Sequence, residues 1–100
     1  MIIQEQIEDG VLIAAPEGEL DTPHSPELER FLASRYDQVR QVIFDMEKVS
    51  YISSAGLRVL IQAYKIMKEK DGVLLRNVTS PQVQEILTLT GYARVLKTAD

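Results

Sequence analysis

Residues 54–70 carry the pattern that most narrows what this chain can become. At ~100° per residue, Leu57, Leu60, Ile61, Tyr64 and Met67 fall on one face of a helix. Val59, Ala63 and Ile66 widen that face until the apolar arc covers roughly 220°. Arg58, Gln62, Lys65 and Glu69 are left as a narrow polar stripe. So wide an arc needs a sheet beneath it. What remains of the arc has two possible uses: cover from another helix, or an edge that meets a partner.

The rest of the chain offers that sheet. Residues 2–7 and 11–16 are β-rich runs joined by Asp9-Gly10, a hairpin signal. Residues 11–15 are almost wholly apolar and are expected to be buried. Glu17 to Pro26 reads as a polar connection. Ser25-Pro26 then looks like a helix start, an oxygen cap followed by a residue already fixed at helical φ. Leu28, Phe31, Leu32 and Tyr36 continue it to near Gln38. Residues 41–45 form a short buried strand and 73–76 another, with Asp71-Gly72 ending the long helix between them. Ser80-Pro81 opens a third helix, buried through Val83, Ile86 and Leu87 and stopped by Gly91. Val95-Leu96 is a short last strand or a turn. The expected fold class is α/β: one domain over residues 1–100, a mixed sheet of four to five strands with three main helices, in the order β-β-α-β-α-β-α. Strands alternating with helices make parallel pairs, and the opening hairpin adds an antiparallel one.

Several function classes drop out on residue content. The chain has no cysteine, so a disulfide scaffold, a cysteine zinc site and a thiol nucleophile are excluded. Its formal charge is −4, with eleven scattered Lys and Arg, which argues against nucleic acid, because phosphate neutralisation calls for a basic patch. No basic start with an apolar run opens the chain, and no stretch approaches the ~18 apolar residues of a membrane span; a cytoplasmic, membrane-free location is expected. Hydrophobic residues at 45% and charged ones at 26% are ordinary for a globular domain. His24 is the only histidine and no Gly-x-Ser-x-Gly elbow accompanies it, so it reads as a solvated loop residue rather than a hydrolase base. No phosphate-binding glycine loop and no metal-ligand spacing occur. The expectation is a protein that is not an enzyme and carries no cofactor or metal.

The informative segment runs from Asp45 through Val49 and Ile52 to Ser53-Ser54-Ala55-Gly56-Leu57, from a buried strand into the start of the long helix. Four small residues sit where a helix exposes unsatisfied N–H groups and the positive end of its dipole. Such a terminus accommodates a serine oxygen or an anion. On residues alone, Ser53 and Ser54 could be simply a capping pair.

This segment resembles the signature of the STAS domain, in its stand-alone form as an anti-sigma factor antagonist. There a strand ends in Asp, a loop follows, and then Asp-Ser-Ser-Gly-Leu or Asp-Ser-Thr-Gly-Leu. Gly18-Glu19-Leu20-Asp21 is similar to the Gly-Glu-Leu-Asp after the second strand of that family, and the likeness spans essentially the whole chain. Aligned on Gly56, the resemblance implies that Ser54 is the phosphoacceptor, with Ser53 as runner-up. Ser53 stands where the family usually has Asp, and Ala55 replaces a second hydroxyl. It implies partner contacts at Asp21, Ser53, Ser54, Gly56, Leu57 and Arg58. The implied partners are an anti-sigma factor of the serine kinase type, which brings the ATP, and a serine phosphatase that resets the switch. The unphosphorylated chain would bind the anti-sigma factor and free the sigma factor; phosphorylation at Ser54 would end that. The alternative is an unmodified STAS subunit of a lipid-transport or signalling assembly.

Overall fold

In the computed structural model, which describes residues 1–99, five strands and three helices share one hydrophobic core. Strands β1 (Ile2–Glu8) and β2 (Val11–Leu20) form the expected hairpin. Its two turn residues, Asp9 and Gly10, both have positive φ, 53° and 79°, the type I′ geometry whose twist matches that of the strands it joins. Helix α1 (Ser25–Ala33), β3 (Gln41–Asp45), β4 (Val49–Ile52), helix α2 (Ser54–Met67), β5 (Val73–Arg76) and helix α3 (Pro81–Thr90) follow.

The sheet is mixed, as expected. β1 lies antiparallel to β2, while β2–β3, β2–β4 and β3–β5 are parallel. Alternation decides which side is buried. Leu12, Ala14, Val42, Phe44 and Leu75 are fully buried, and they cluster with Leu28 and Leu32 of α1, Leu60 and Met67 of α2, and Leu87 of α3. The intervening Val11, Ile13, Ala15, Ile43 and Leu74 are only half-buried. The apolar run 11–15 is therefore buried on one face rather than throughout.

The long helix uses most of its arc for the core. Leu57, Val59, Leu60, Ile61, Ala63 and Met67 are buried and Tyr64 is partly covered, whereas Ile66 stays 40% exposed. The helix ends at Met67, a turn before residue 70.

The structure departs from the sequence reading in four further places. First, β2 continues through Pro16 to Leu20, so the stretch 17–20 is strand and not polar connection. Second, Val49–Ile52 is a strand rather than loop. The order becomes β-β-α-β-β-α-β-α. Both changes have one cause: the end of β2 and β4 pair with each other, Leu20 opposite Ile52, and neither looks like a strand without the other. Third, Ser25 is not the cap of α1. His24 holds the cap position, and the buried Ser25 hydroxyl donates to the Asp21 carbonyl at 2.5 Å. Fourth, α1 stops at Ala33, and a separate 3-10 turn takes Tyr36–Gln38. Of the two alternatives for Val95-Leu96, the turn is the one formed; Leu96 fills the core, and the strand-like contact is a single parallel bridge from Thr98 to Leu75. The start and stop of α3 are as read: the Ser80 hydroxyl accepts from the Val83 N–H, and Gly91 ends the helix at φ 79°.

Candidate functional site

The end of β2 and the end of β4 run side by side into the start of α2. Gly18 makes this possible. It sits at φ 101°, a left-handed conformation suited to glycine, at a register shift between Gly18 and Glu19, and its N–H donates to the Lys48 carbonyl at 2.8 Å. Leu20 is then fully buried, and its carbonyl accepts from the Ser53 N–H at 3.0 Å.

Ser53 is the N-cap of α2. Its backbone is extended, its hydroxyl oxygen accepts from the Gly56 N–H at 3.3 Å, and the hydroxyl also lies 3.4 Å from the Leu20 carbonyl. Both capacities of that hydroxyl are engaged. Ser54 is the first residue of the helix and is exposed. Its hydroxyl has no hydrogen-bond partner within the protein among the described residues. The two serines thus differ: one oxygen is committed to the fold and the next is free. Ala55 follows, half-buried, and then Gly56, which is buried.

Gly56 is required for space. A β-carbon there would lie 2.3 Å from the Leu20 carbonyl oxygen and 2.9 Å from side-chain carbons of Ile52 and Leu20. The helix start is pressed against the strand end so closely that only glycine fits. Leu57 is 4% exposed and packs inward. Gly56 and Leu57, expected to touch a partner, are therefore covered within the chain. They seat the helix and thereby aim Ser54.

Asp21 and Arg58 flank the serine. The Asp21 side chain is 24% exposed, and one carboxylate oxygen lies 2.6 Å from His24 Nδ1 and accepts from the His24 N–H at 3.2 Å. His24 is thus bound to the motif's aspartate, and not simply solvated. Arg58, one helical turn beyond Ser54, is exposed. It lines a groove of about 270 Å³ between α1 and α2, together with Thr22, Pro26, Glu29, Ala55 and Val59. Of the six residues expected at a partner surface, Asp21, Ser53, Ser54 and Arg58 are at least partly accessible. Among the described residues, no cluster of three or more His, Asp or Glu suits a metal ion.

Two side chains at the site carried no sequence signal. His24 was visible only as a lone histidine. Gln82, from the first turn of α3, reaches back to Ile52: its Oε1 accepts from the Ile52 N–H and its Nε2 donates to the Ile52 carbonyl, each at 2.9 Å. Thirty residues separate the two, so spacing along the chain could not have revealed the contact.

Comparison with known proteins agrees with this fold. A family model described as STAS domain matches residues 3–100. BtrV of Bordetella bronchiseptica, whose name classes it as an anti-sigma factor antagonist, is 33% identical over 93 residues, covering 92% of this chain and 80% of that protein. The anti-sigma F factor antagonist of Paenibacillus polymyxa is 28% identical over 94 residues, covering 91% and 80%. Among solved structures, the anti-sigma factor antagonist SpoIIAA in its unphosphorylated form superposes with a TM-score of 0.83 at 18% identity, covering 99% of this chain and 89% of that one. The phosphorylated form of SpoIIAA, a Bacillus cell fate determinant, gives 0.76 at 17% identity, with 99% and 92% covered. At those identities the likeness concerns the fold. No helix among the described residues is long and apolar enough to cross a membrane.

Proposed function

This chain belongs to the STAS domain family, and from that premise we propose that it is an anti-sigma factor antagonist switched by phosphorylation of Ser54. The observation that carries the reading is the inequality of the two serines. Ser53 spends its hydroxyl on the cap and on the Leu20 carbonyl, while Ser54 offers an exposed, unbonded hydroxyl at the head of α2. The names of the relatives support the class of partner, and the existence of SpoIIAA in two phosphorylation forms supports the kind of switch.

The physical logic is short. Unmodified, the junction is a small neutral surface that a partner can cover. Phosphorylation adds about −1.5 to −2 charges and three acceptor oxygens. Within the domain that charge is tolerated, because it lies over the N–H groups and positive dipole end of α2. Against a partner's apolar or acidic surface it is not, because the phosphate would lose its water without a counter-charge. A loss of even ~3–4 kcal/mol weakens binding roughly 100- to 1000-fold, enough to release the partner. The partner is an anti-sigma factor of the serine kinase type, which supplies ATP and the catalysis; a serine phosphatase resets the switch. Regulation by binding, in the cytoplasm, is the whole of this chain's part.

The test is a phosphorylation assay with the cognate anti-sigma kinase and ATP, with the modified residue mapped by mass spectrometry, beside calorimetric titration of each form. Phosphate on Ser54 and weakened binding of that form are expected. Phosphate on Ser53 overturns the assignment of Ser54 as acceptor, and partner capture that yields only membrane-transport subunits with no phosphate on the chain overturns the reading in favour of the unmodified assembly subunit.

A further inference from the structure

We propose that Gln82 is a positioning residue for the Ser54 switch, a side-chain stand-in for a missing strand that holds the acceptor junction in place. The inference rests on the reading of Ser54 as acceptor and adds to it a control point on a different element.

β4 pairs with β2 on one edge. Its other edge presents the backbone groups of Ser50 and Ile52, two residues apart and so directed the same way. No strand of the sheet pairs with that edge. The first turn of α3 fills the place instead. The Ser80 hydroxyl donates to the Ser50 carbonyl at 2.9 Å while also capping its own helix. The Gln82 carboxamide then bonds both polar groups of Ile52, at 2.9 Å each. A carboxamide carries the same donor and acceptor pair as a peptide, so one glutamine mimics one residue of a neighbouring strand. Asparagine would be one carbon short. Aspartate and glutamate offer no donor when ionised.

What this holds matters for the switch. Ile52 directly precedes the cap residue Ser53 and its side chain lies against Gly56. Its N–H and carbonyl are part-buried, and without Gln82 they would lose their partner where water replaces it poorly. Gln82 is itself half-buried and its amide orientation is dictated by the two backbone groups it meets. Fixing Ile52 fixes the cap, and the cap fixes the backbone from which the Ser54 side chain projects. A kinase that must bring an acceptor oxygen in line with a phosphoryl group gains from an acceptor already held in that geometry. Loosening the clamp leaves the docking surface in place and makes the aligned geometry rarer.

The experiment compares the full chain with Gln82→Leu, and with Gln84→Leu as a control. Gln84 sits two residues on in α3, and its amide bonds the Val78 carbonyl and not Ile52. Amide exchange followed by NMR needs no kinase: Gln82→Leu should raise exchange at Ile52 about tenfold, for two lost hydrogen bonds, beyond any change the control shows. The kinase probe is extract of the source cell with ATP, phosphate on Ser54 being read by mass spectrometry over a range of chain concentrations. Loss of alignment lowers the maximum rate about tenfold with apparent KM little changed. Mere partial unfolding acts as a lower substrate concentration, raising apparent KM at unchanged maximum rate. If Gln82→Leu does not fold, Gln82→Glu serves: it matches the size, accepts from the Ile52 N–H, and donates to the carbonyl only when protonated. Its maximum rate relative to the parent should therefore climb as pH falls. Unchanged Ile52 exchange, or an effect on KM alone, overturns the inference. A parent chain that receives no phosphate on Ser54 overturns instead the reading of the switch, while the exchange result still judges the clamp.

Discussion

Of two neighbouring serines at this site one is bound into the fold and the next is free, and if Ser54 is the proposed switch, single substitutions separate their roles. Ser53→Ala removes the acceptor that caps α2 and should lower stability by about 1 kcal/mol. Ser54→Ala deletes a solvent-facing hydroxyl and should change stability by less than about 0.5 kcal/mol. Thermal or urea unfolding of the pair checks this order. In the phosphorylation assay the ranking reverses: Ser54→Ala should keep its partner and resist release by ATP, while Ser53→Ala still accepts phosphate. Ser54→Asp places a charge where the helix dipole favours it. It should stay folded and bind its partner more weakly than the parent by calorimetry; equal binding counts against the switch. Gly56 belongs to the same scale. A methyl group there meets the Leu20 carbonyl oxygen at 2.3 Å, and backbone cannot turn aside as a side-chain tip can. Gly56→Ala should lose about 3 kcal/mol, or roughly 15 °C in melting temperature for a domain of this size.

Among the elements, the parallel pair β3–β5 carries an acid-sensitive fastening. Asp45, at the end of β3, is met by the Asn77 amide at 3.1 Å, the Glu47 N–H at 3.2 Å and the Arg76 guanidinium at 3.3 Å. Burial on its own would raise the proton affinity of this carboxyl. The hydrogen bonds from Asn77, Glu47 and Arg76, with the arginine charge, outweigh it and hold the group below the usual carboxylate range. The folded state thus binds this proton more weakly than the unfolded state does. The resulting stability is present above the unfolded pKa, near ~3.9, and fades as pH falls through the lower folded value. Asp45→Asn should lower stability near neutral pH and make its decline with acid shallower, as seen in urea midpoints between about pH 5 and pH 2. A decline as steep as the parent's would assign the acid sensitivity to other groups. Tyr36, in the 3-10 turn, is pushed up to about 12 by burial and by the nearby Glu29 charge, so it remains a neutral phenol throughout this range.

As a whole molecule, the chain is held by one apolar core with two capped helices, and the expectation is that folding needs no ligand. Purified protein should unfold in a single cooperative transition, indifferent to chelator and to added nucleotide. A marked loss of structure on chelation would point to a hidden metal. The Ser54-phosphorylated form should show the same far-ultraviolet dichroism as the parent, because the modification lies at the surface of the helix start and not in the core. Large unfolding on phosphorylation would replace a switch by binding with a switch by melting.

Periodicity and punctuation were enough for the class of fold. The wide arc over 54–70, the Asp9-Gly10 turn, the Ser80-Pro81 start and the Gly91 stop are local signals, each caused by atoms within a few residues. Ser54 was singled out by the family resemblance, in the register of Gly56 and Leu57; the residues alone allowed a simple capping pair. The remainder depended on neighbours distant along the chain. Gly18 to Leu20 and Val49 to Ile52 are too short to stand out as strands alone, and each becomes one because the other completes its hydrogen bonds. Ser25 looked like a cap, yet the chain's path after Asp21 buries it and passes the cap position to His24. Gly56 was legible as part of a motif, but its reason is a carbonyl oxygen 36 residues upstream. Gln82 was not legible at all. A glutamine on a helix is ordinary until the fold brings it against an unpaired strand edge, and only the tertiary structure decides that.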